Sequence, residues 1–130
     1  MTFLFVFLGG GTGSLARYLL SLGVGSLWDG GFPLGTFLIN LLGCFGIGLL
    51  GGLSERAILD PNLRLLLQTG FLGGFTTFSS FGLETVQLLR QTEGWTASAY
   101  VLGTNLLGVG MVFAGFFVAK AVVTADPRLK

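Results

Sequence analysis

The chain has 130 residues, of which 52% are apolar and only 10% charged, with a net charge of +1 and a mean hydropathy of +0.82. A soluble domain carries roughly 25% charged residues, so the composition excludes an ordinary water-soluble fold and points to an all-α integral membrane protein. The near-neutral charge offers no basic stripe for nucleic acid, the lone Cys44 no disulfide framework, and the lack of histidine removes imidazole bases and the commonest metal ligand.

The charges are confined to a few places. Met1–Ala16, Gly30–Ser54, Leu65–Leu83 and Gly94–Ala119 contain none. Three of these runs reach the roughly 18 residues of a membrane span, and the first does so if Arg17 is tolerated within it. The reading is a single membrane domain over residues 1–130, with four transmembrane helices at about 3–27, 32–53, 65–89 and 95–119 and a polar tail, 124–130, expected to fray. The N-terminus lacks the basic region and cleavage site of a signal peptide, so the first span is expected to remain as a helix.

In the first span, Gly9-Gly-Gly-Thr-Gly-Ser14 superficially resembles a nucleotide-binding turn, but the third glycine of that pattern falls on Ser14. A small-xxx-small face at Gly9 and Gly13, for close helix approach, accounts for it better. Arg17 is costly within a span, roughly 3 kcal/mol or more. It is either a snorkelling side chain or a cation at the mouth of an aqueous vestibule. Trp28 to Pro33 make a turn at headgroup level. The second span carries Thr36, Asn40 and Cys44 on one face, and Gly48 and Gly52 as a second small-residue pair. Asn40 needs a partner or a pore to satisfy its amide. Ser54–Arg64 reads as a charged interfacial connector around Pro61.

The third span holds the least helix-like sequence. Gly70 to Phe81 contains three glycines, four hydroxyl residues and four phenylalanines. Glycine costs about 1 kcal/mol in a helix interior, and each freed backbone group in lipid needs another partner. The stretch therefore predicts a third helix broken at mid-membrane, where carbonyls and amides can serve an ion. Beyond it lies Glu84, the only acid within any span, spaced to bring its carboxylate towards Ser80 and Ser79 on a helix. Phe75, Phe78 and Phe81 recur every three residues, which suggests a stripe on one side. Such a stripe is either packed or lipid-facing, or it offers electropositive ring edges to an anion. On the fourth span Tyr100 and Thr104 share a face, with Asn105 beside it. The intramembrane polar groups are mostly neutral hydrogen-bond donors without a base–nucleophile pair, which argues against an enzyme and for passage of a small ion. Exposed carbonyls at a break equally suit a cation, so the residues alone leave the sign of the ion open.

Three segments, Gly9 to Tyr18, Gly35 to Gly43 and Gly70 to Phe81, together resemble the fluoride-channel family known as Fluc or CrcB, and the likeness runs across all four spans. The resemblance implies an antiparallel, dual-topology homodimer in the inner or plasma membrane of a prokaryote, a multi-pass protein that passively exports fluoride and so protects against its toxicity. It implies that Asn40, Phe78 and Phe81 line the fluoride path. Ser79, Ser80 and Glu84 would form a polar group near the exit, Tyr100 and Thr104 the start of a hydroxyl track, and Arg17 the vestibule cation. The backbone carbonyls of Gly73 and Thr76 would hold a structural sodium ion at the dimer centre. Gly108 and Val112, the next steps along the track, bear no hydroxyl.

The resemblance leaves one tension. With both termini and the Ser54–Arg64 connector on one side, Arg56, Arg64, Lys120, Arg128 and Lys130 lie there against Arg17 and Arg90 for the other. That bias favours a fixed orientation, and so one subunit of a heterodimeric channel, more than a dual-topology chain should. A small four-helix multidrug or cation transporter is the other alternative, but it would need a substrate-binding acid where this chain has Arg17.

Overall fold

The computed structural model describes residues 2–55 and 58–125, which include no strand. The helical elements are α1 (Thr2–Leu27), α2 (Leu34–Ser54), α3 (residues 61–75), α4 (Phe78–Arg90) and α5 (Gly94–Ala125). Three of them, α1, α2 and α5, are long and apolar enough to cross a membrane. The remaining apolar stretch is divided. Within α3, a turn of α-helix at Pro61–Arg64 leads into a wider π-helical segment, Leu65–Leu72, and then a last α-turn, Gly73–Phe75. Two extended residues follow, Thr76 (φ −76°, ψ 154°) and Thr77 (φ −145°, ψ 110°), before α4 begins.

Local chemistry sets these boundaries. Trp28 closes the α1–α2 turn by donating its indole N–H to the Phe32 carbonyl at 3.0 Å. Asp60 caps α3, its carboxylate accepting from the amides of Asn62 (2.8 Å) and Leu63 (3.3 Å), with Pro61 in the first turn where no amide is needed. The last helix continues through Thr124 and Ala125, further than the sequence pattern suggests. Thr124 returns its hydroxyl to the Lys120 carbonyl at 2.8 Å, and Val123 is buried, so a polar residue is accommodated without ending the helix. Residues 126–130 of the polar tail, and Arg56 of the connector, lie outside the described residues.

Two seams of glycine hold the bundle. A Cβ on Gly9 or Gly13 of α1 would collide with the backbone of Leu66 or Phe71 in α3, so these helices meet main chain to main chain. The same holds between α2 and α5, where Gly48 lies on the Val112 carbonyl and Gly115 on that of Phe45. Lipid tails are as apolar as leucine, so packing contact rather than water exclusion must drive this association. At one end of the bundle Phe81, Leu88, Ala97 and Tyr100 form a buried cluster, flanked by Phe32, Phe37 and Val101.

The α4 terminus carries a strained residue. Thr92 sits at φ 62°, and the amides of Thr92 and Glu93 close back on the carbonyls of Leu89 (3.3 Å) and Leu88 (3.0 Å). This left-handed terminal turn normally takes glycine, and a β-branched side chain there costs roughly 1–2 kcal/mol. Thr92→Gly is therefore expected to stabilise the protein by about 1 kcal/mol, read as a raised melting temperature in detergent; a lowered one would refute the assignment of strain.

Candidate ion pathway

Breaking a helix between Thr76 and Thr77 frees main-chain groups that lipid cannot satisfy. Asn40 of α2 takes up one residue's worth. Its Oδ1 accepts the Thr77 amide at 2.9 Å and its Nδ2 donates to the Thr77 carbonyl at 3.2 Å. Donor and acceptor are both matched, which fixes which end of the amide is oxygen. Thr77 then starts α4: its buried hydroxyl accepts the Ser80 amide at 3.2 Å and contacts the hydroxyls of Ser80 (3.0 Å) and Ser79 (3.3 Å). Thr76 returns its own hydroxyl to the Leu72 carbonyl at 3.0 Å. Because the Thr77 amide goes to Asn40, the Gly73 carbonyl loses the helical donor four residues on.

Two hollows flank this junction. The larger, an open groove of about 500 Å³, is lined by Asn40, Gly73, Thr76, Phe78, Phe81 and Thr104, together with Gln68 and Cys44. Its wall is mostly apolar, with a few hydrogen-bonding groups among aromatic rings. Phe81 is buried at 8% exposure, whereas Phe78 stands out at 82%, their centroids 5.6 Å apart. Asn40 gives one of its two amide hydrogens to Thr77, which leaves the other for the groove. The Thr104 hydroxyl is buried with no partner among the described residues. The smaller hollow, about 260 Å³, is lined by Ser14, Arg17, Thr36, Thr77 and Ser80, among others, and the buried Nε of Arg17 is likewise unpartnered. A guanidinium N–H beside several hydroxyls suits an anion.

The structure redistributes several residues that the sequence groups together. Glu84 is bound by neither Ser79 nor Ser80. Its carboxylate accepts from the hydroxyls of Thr36 on α2 (2.7 Å) and Tyr100 on α5 (2.6 Å) instead. Each carboxylate oxygen thus has a donor from a neighbouring helix, while both serines lie against the capping Thr77. Tyr100 and Thr104 share a helix face but serve different places, one on Glu84 and the other in the groove. Phe75 leaves the expected stripe: the extended pair after it turns the chain, and it stacks on Phe71 (5.7 Å, interplanar 11°) while Phe81 packs on Tyr100 (5.1 Å).

Sequence reasoning passed over Gln68 and gave Thr77 no role of its own. Gln68 donates to Ser54 at 3.2 Å while lining the groove. It is the only long polar side chain in the charge-free run from Leu65 to Leu83, which is a legible signal. Thr77, a hydroxyl residue placed just before Phe-Ser-Ser-Phe, has the signature of a helix cap.

A bundle with three membrane-length helices, a divided apolar helix and unspent hydrogen-bond donors beside the division has the make-up of an integral membrane protein. The comparisons with known proteins agree. The family model described as CrcB-like protein, Camphor Resistance (CrcB), matches residues 4–116, and the chain belongs to this family. It is similar to proteins named "Fluoride-specific ion channel FluC". That of Helicobacter acinonychis (strain Sheeba) is 46% identical over 125 residues, covering 95% of this chain and 98% of the relative. That of Helicobacter pylori (strain HPAG1) is 47% identical over 123 residues, with 93% and 95% covered. That of Solibacter usitatus (strain Ellin6076) is 48% identical over 121 residues, with 92% and 99% covered.

Two substitutions test the geometry. Asn40→Leu leaves the buried Thr77 amide and carbonyl without partners, at about 1–3 kcal/mol for each orphaned group. Tyr100→Phe keeps the ring packing but removes a donor from Glu84, worth about 1.5–3 kcal/mol for a bond to a charged group. Both should lower thermal stability in detergent. An unchanged melting temperature for either would remove that hydrogen bond from the account.

Proposed function

We propose that this chain is the subunit of a fluoride-selective ion channel that exports fluoride passively across the membrane of a prokaryote. The observation that carries the reading is the 46–48% identity, over nearly the whole chain, to relatives bearing that printed name. The groove supplies matching chemistry. A small anion leaving water needs replacement donors that do not bind it too firmly. Phe78 and Phe81 offer ring edges, Asn40 its second amide hydrogen and Thr104 a free hydroxyl. Arg17 draws anions towards the smaller hollow, where Ser80 adds its hydroxyl. Ser79, Glu84 and Tyr100 complete the polar end.

The subunit pairs with a copy inserted upside down, and residues 61–90 make the fourth crossing, broken at mid-membrane. A structural sodium ion sits at the dimer centre. The Gly73 carbonyl, deprived of its helical donor, fits such an ion, as does that of Thr76 in the extended pair. Hard cations take oxygen ligands, and Gly73 is exposed with nothing within 4 Å of where a Cβ would stand. When bound, the ion supplies charge to neutralise those carbonyl dipoles and tie the subunits. A second reading, a fixed-orientation subunit of a heterodimeric channel, is favoured by the one-sided cluster of Lys and Arg.

Purified protein alone in liposomes should dissipate a fluoride gradient far faster than a chloride gradient, with a terminal tag accessible from both faces. Equal rates for the two ions would refute the channel; fluoride flux only alongside a paralogue would select the heterodimer. Phe78→Ile and Phe81→Ile should each bring flux to background while the dimer persists on size exclusion. Replacing sodium in the buffer by a large organic cation should lower the melting temperature of the dimer; no change would argue against the structural ion.

A further inference from the structure

A second groove, of about 680 Å³, shares no residue with the ion pathway. It lies where the ends of α2 and α5 meet and is lined by Gly52, Glu55, Phe113, Phe116, Phe117 and Lys120, among others. Its floor is aromatic. Phe113 and Phe117 are 70% and 73% exposed, and the Phe116 ring occupies the space above Gly51 and Gly52. Among the described residues its rim carries Glu55 and Lys120, both exposed.

Depth can be judged from helix length. The 32 residues of α5 span about 48 Å at 1.5 Å per residue, well beyond the roughly 30 Å of bilayer hydrocarbon. The turns that carry Lys120 therefore reach the headgroup layer at one end, as Trp95 does at the other. Glu55 follows the last residue of α2 and comes to the same rim.

We propose that this groove binds a phospholipid whose zwitterionic headgroup carries a primary ammonium, of the phosphatidylethanolamine class. Lys120 pairs with the phosphate, Glu55 accepts hydrogen bonds from the ammonium, and an acyl chain lies along Phe113 and Phe117. The complementarity is specific. An anionic headgroup would satisfy Lys120 but meet Glu55 with like charge, and a quaternary ammonium has no N–H to give the carboxylate. The two charges thus select one headgroup among lipids that share the same tails.

The test uses the intact protein and does not depend on which ion it conducts. Protein purified in mild detergent is exchanged against defined mixtures of phosphatidylethanolamine, phosphatidylcholine and phosphatidylglycerol with identical tails, and bound lipid is counted by native mass spectrometry. Phosphatidylethanolamine should be retained about two- to fivefold over phosphatidylcholine, the span expected for a charge pair at an exposed rim. Glu55→Gln should abolish that preference, Lys120→Gln should weaken both lipids, and Phe117→Ala should weaken all three alike. Equal retention of the three headgroups, a preference for phosphatidylglycerol, or an ethanolamine preference that survives Glu55→Gln would each overturn the proposal. Fluoride flux in Glu55→Gln should match that of the unmutated protein, so failure of the lipid site and failure of the channel reading are separable.

Discussion

A helix cannot stop and restart in hydrocarbon unless something replaces the hydrogen bonds it abandons. Here one side chain does so. Asn40 presents a carboxamide to the Thr77 main chain much as a neighbouring strand would, accepting from its amide and donating to its carbonyl. The other features of the junction follow from that pairing. Thr77 is held extended, its hydroxyl is free to cap α4, and the cap draws Ser79 and Ser80 into place. Upstream, the Gly73 carbonyl is released from its usual donor. The same contact pairs the Thr77 main chain and leaves polar atoms on both sides of the break.

The carboxylate of Glu84 plays a comparable part midway along α4. Charge in a low-dielectric setting must be met by strong donors, and two hydroxyls from different helices supply them. The first half of α4 is thereby tied to α2 through Asn40 and Thr36, and to α5 through Tyr100. The hydrogen bonds of Asn40, Thr36 and Tyr100 are thus already partly committed within the bundle.

Much of this architecture could be read from residue order. Charge-free runs located the hydrophobic stretches because charges are costly in hydrocarbon, and Gly70–Phe81 stood out because its glycines and hydroxyls oppose continuous helix. Gly9, Gly13, Gly48 and Gly52 were legible as contact faces from their spacing. Partner choice was not. Four-residue spacing placed Glu84 against Ser80, but the donors that reach its carboxylate came from Thr36 and Tyr100, on helices that spacing along one helix does not reveal. The phenylalanine period failed for a related reason: periodicity assumes one helix, and two extended residues fall within it. Gln68 and Thr77 were overlooked because a polar side chain reveals its importance only when the main-chain group or hollow it serves is known.

The glycine seams bear on how such a chain can change over generations. Where two side chains touch, a larger residue on one helix can be accommodated by a smaller one opposite, so substitutions travel in compensating pairs. At Gly9, Gly13, Gly48 and Gly115 the opposing surface is carbonyl oxygen and backbone, which every amino acid carries unaltered. No second-site substitution can make room. These positions have no epistatic rescue, and variation is channelled away from the seams, onto side chains of α1 and α5 that do not face a neighbouring backbone.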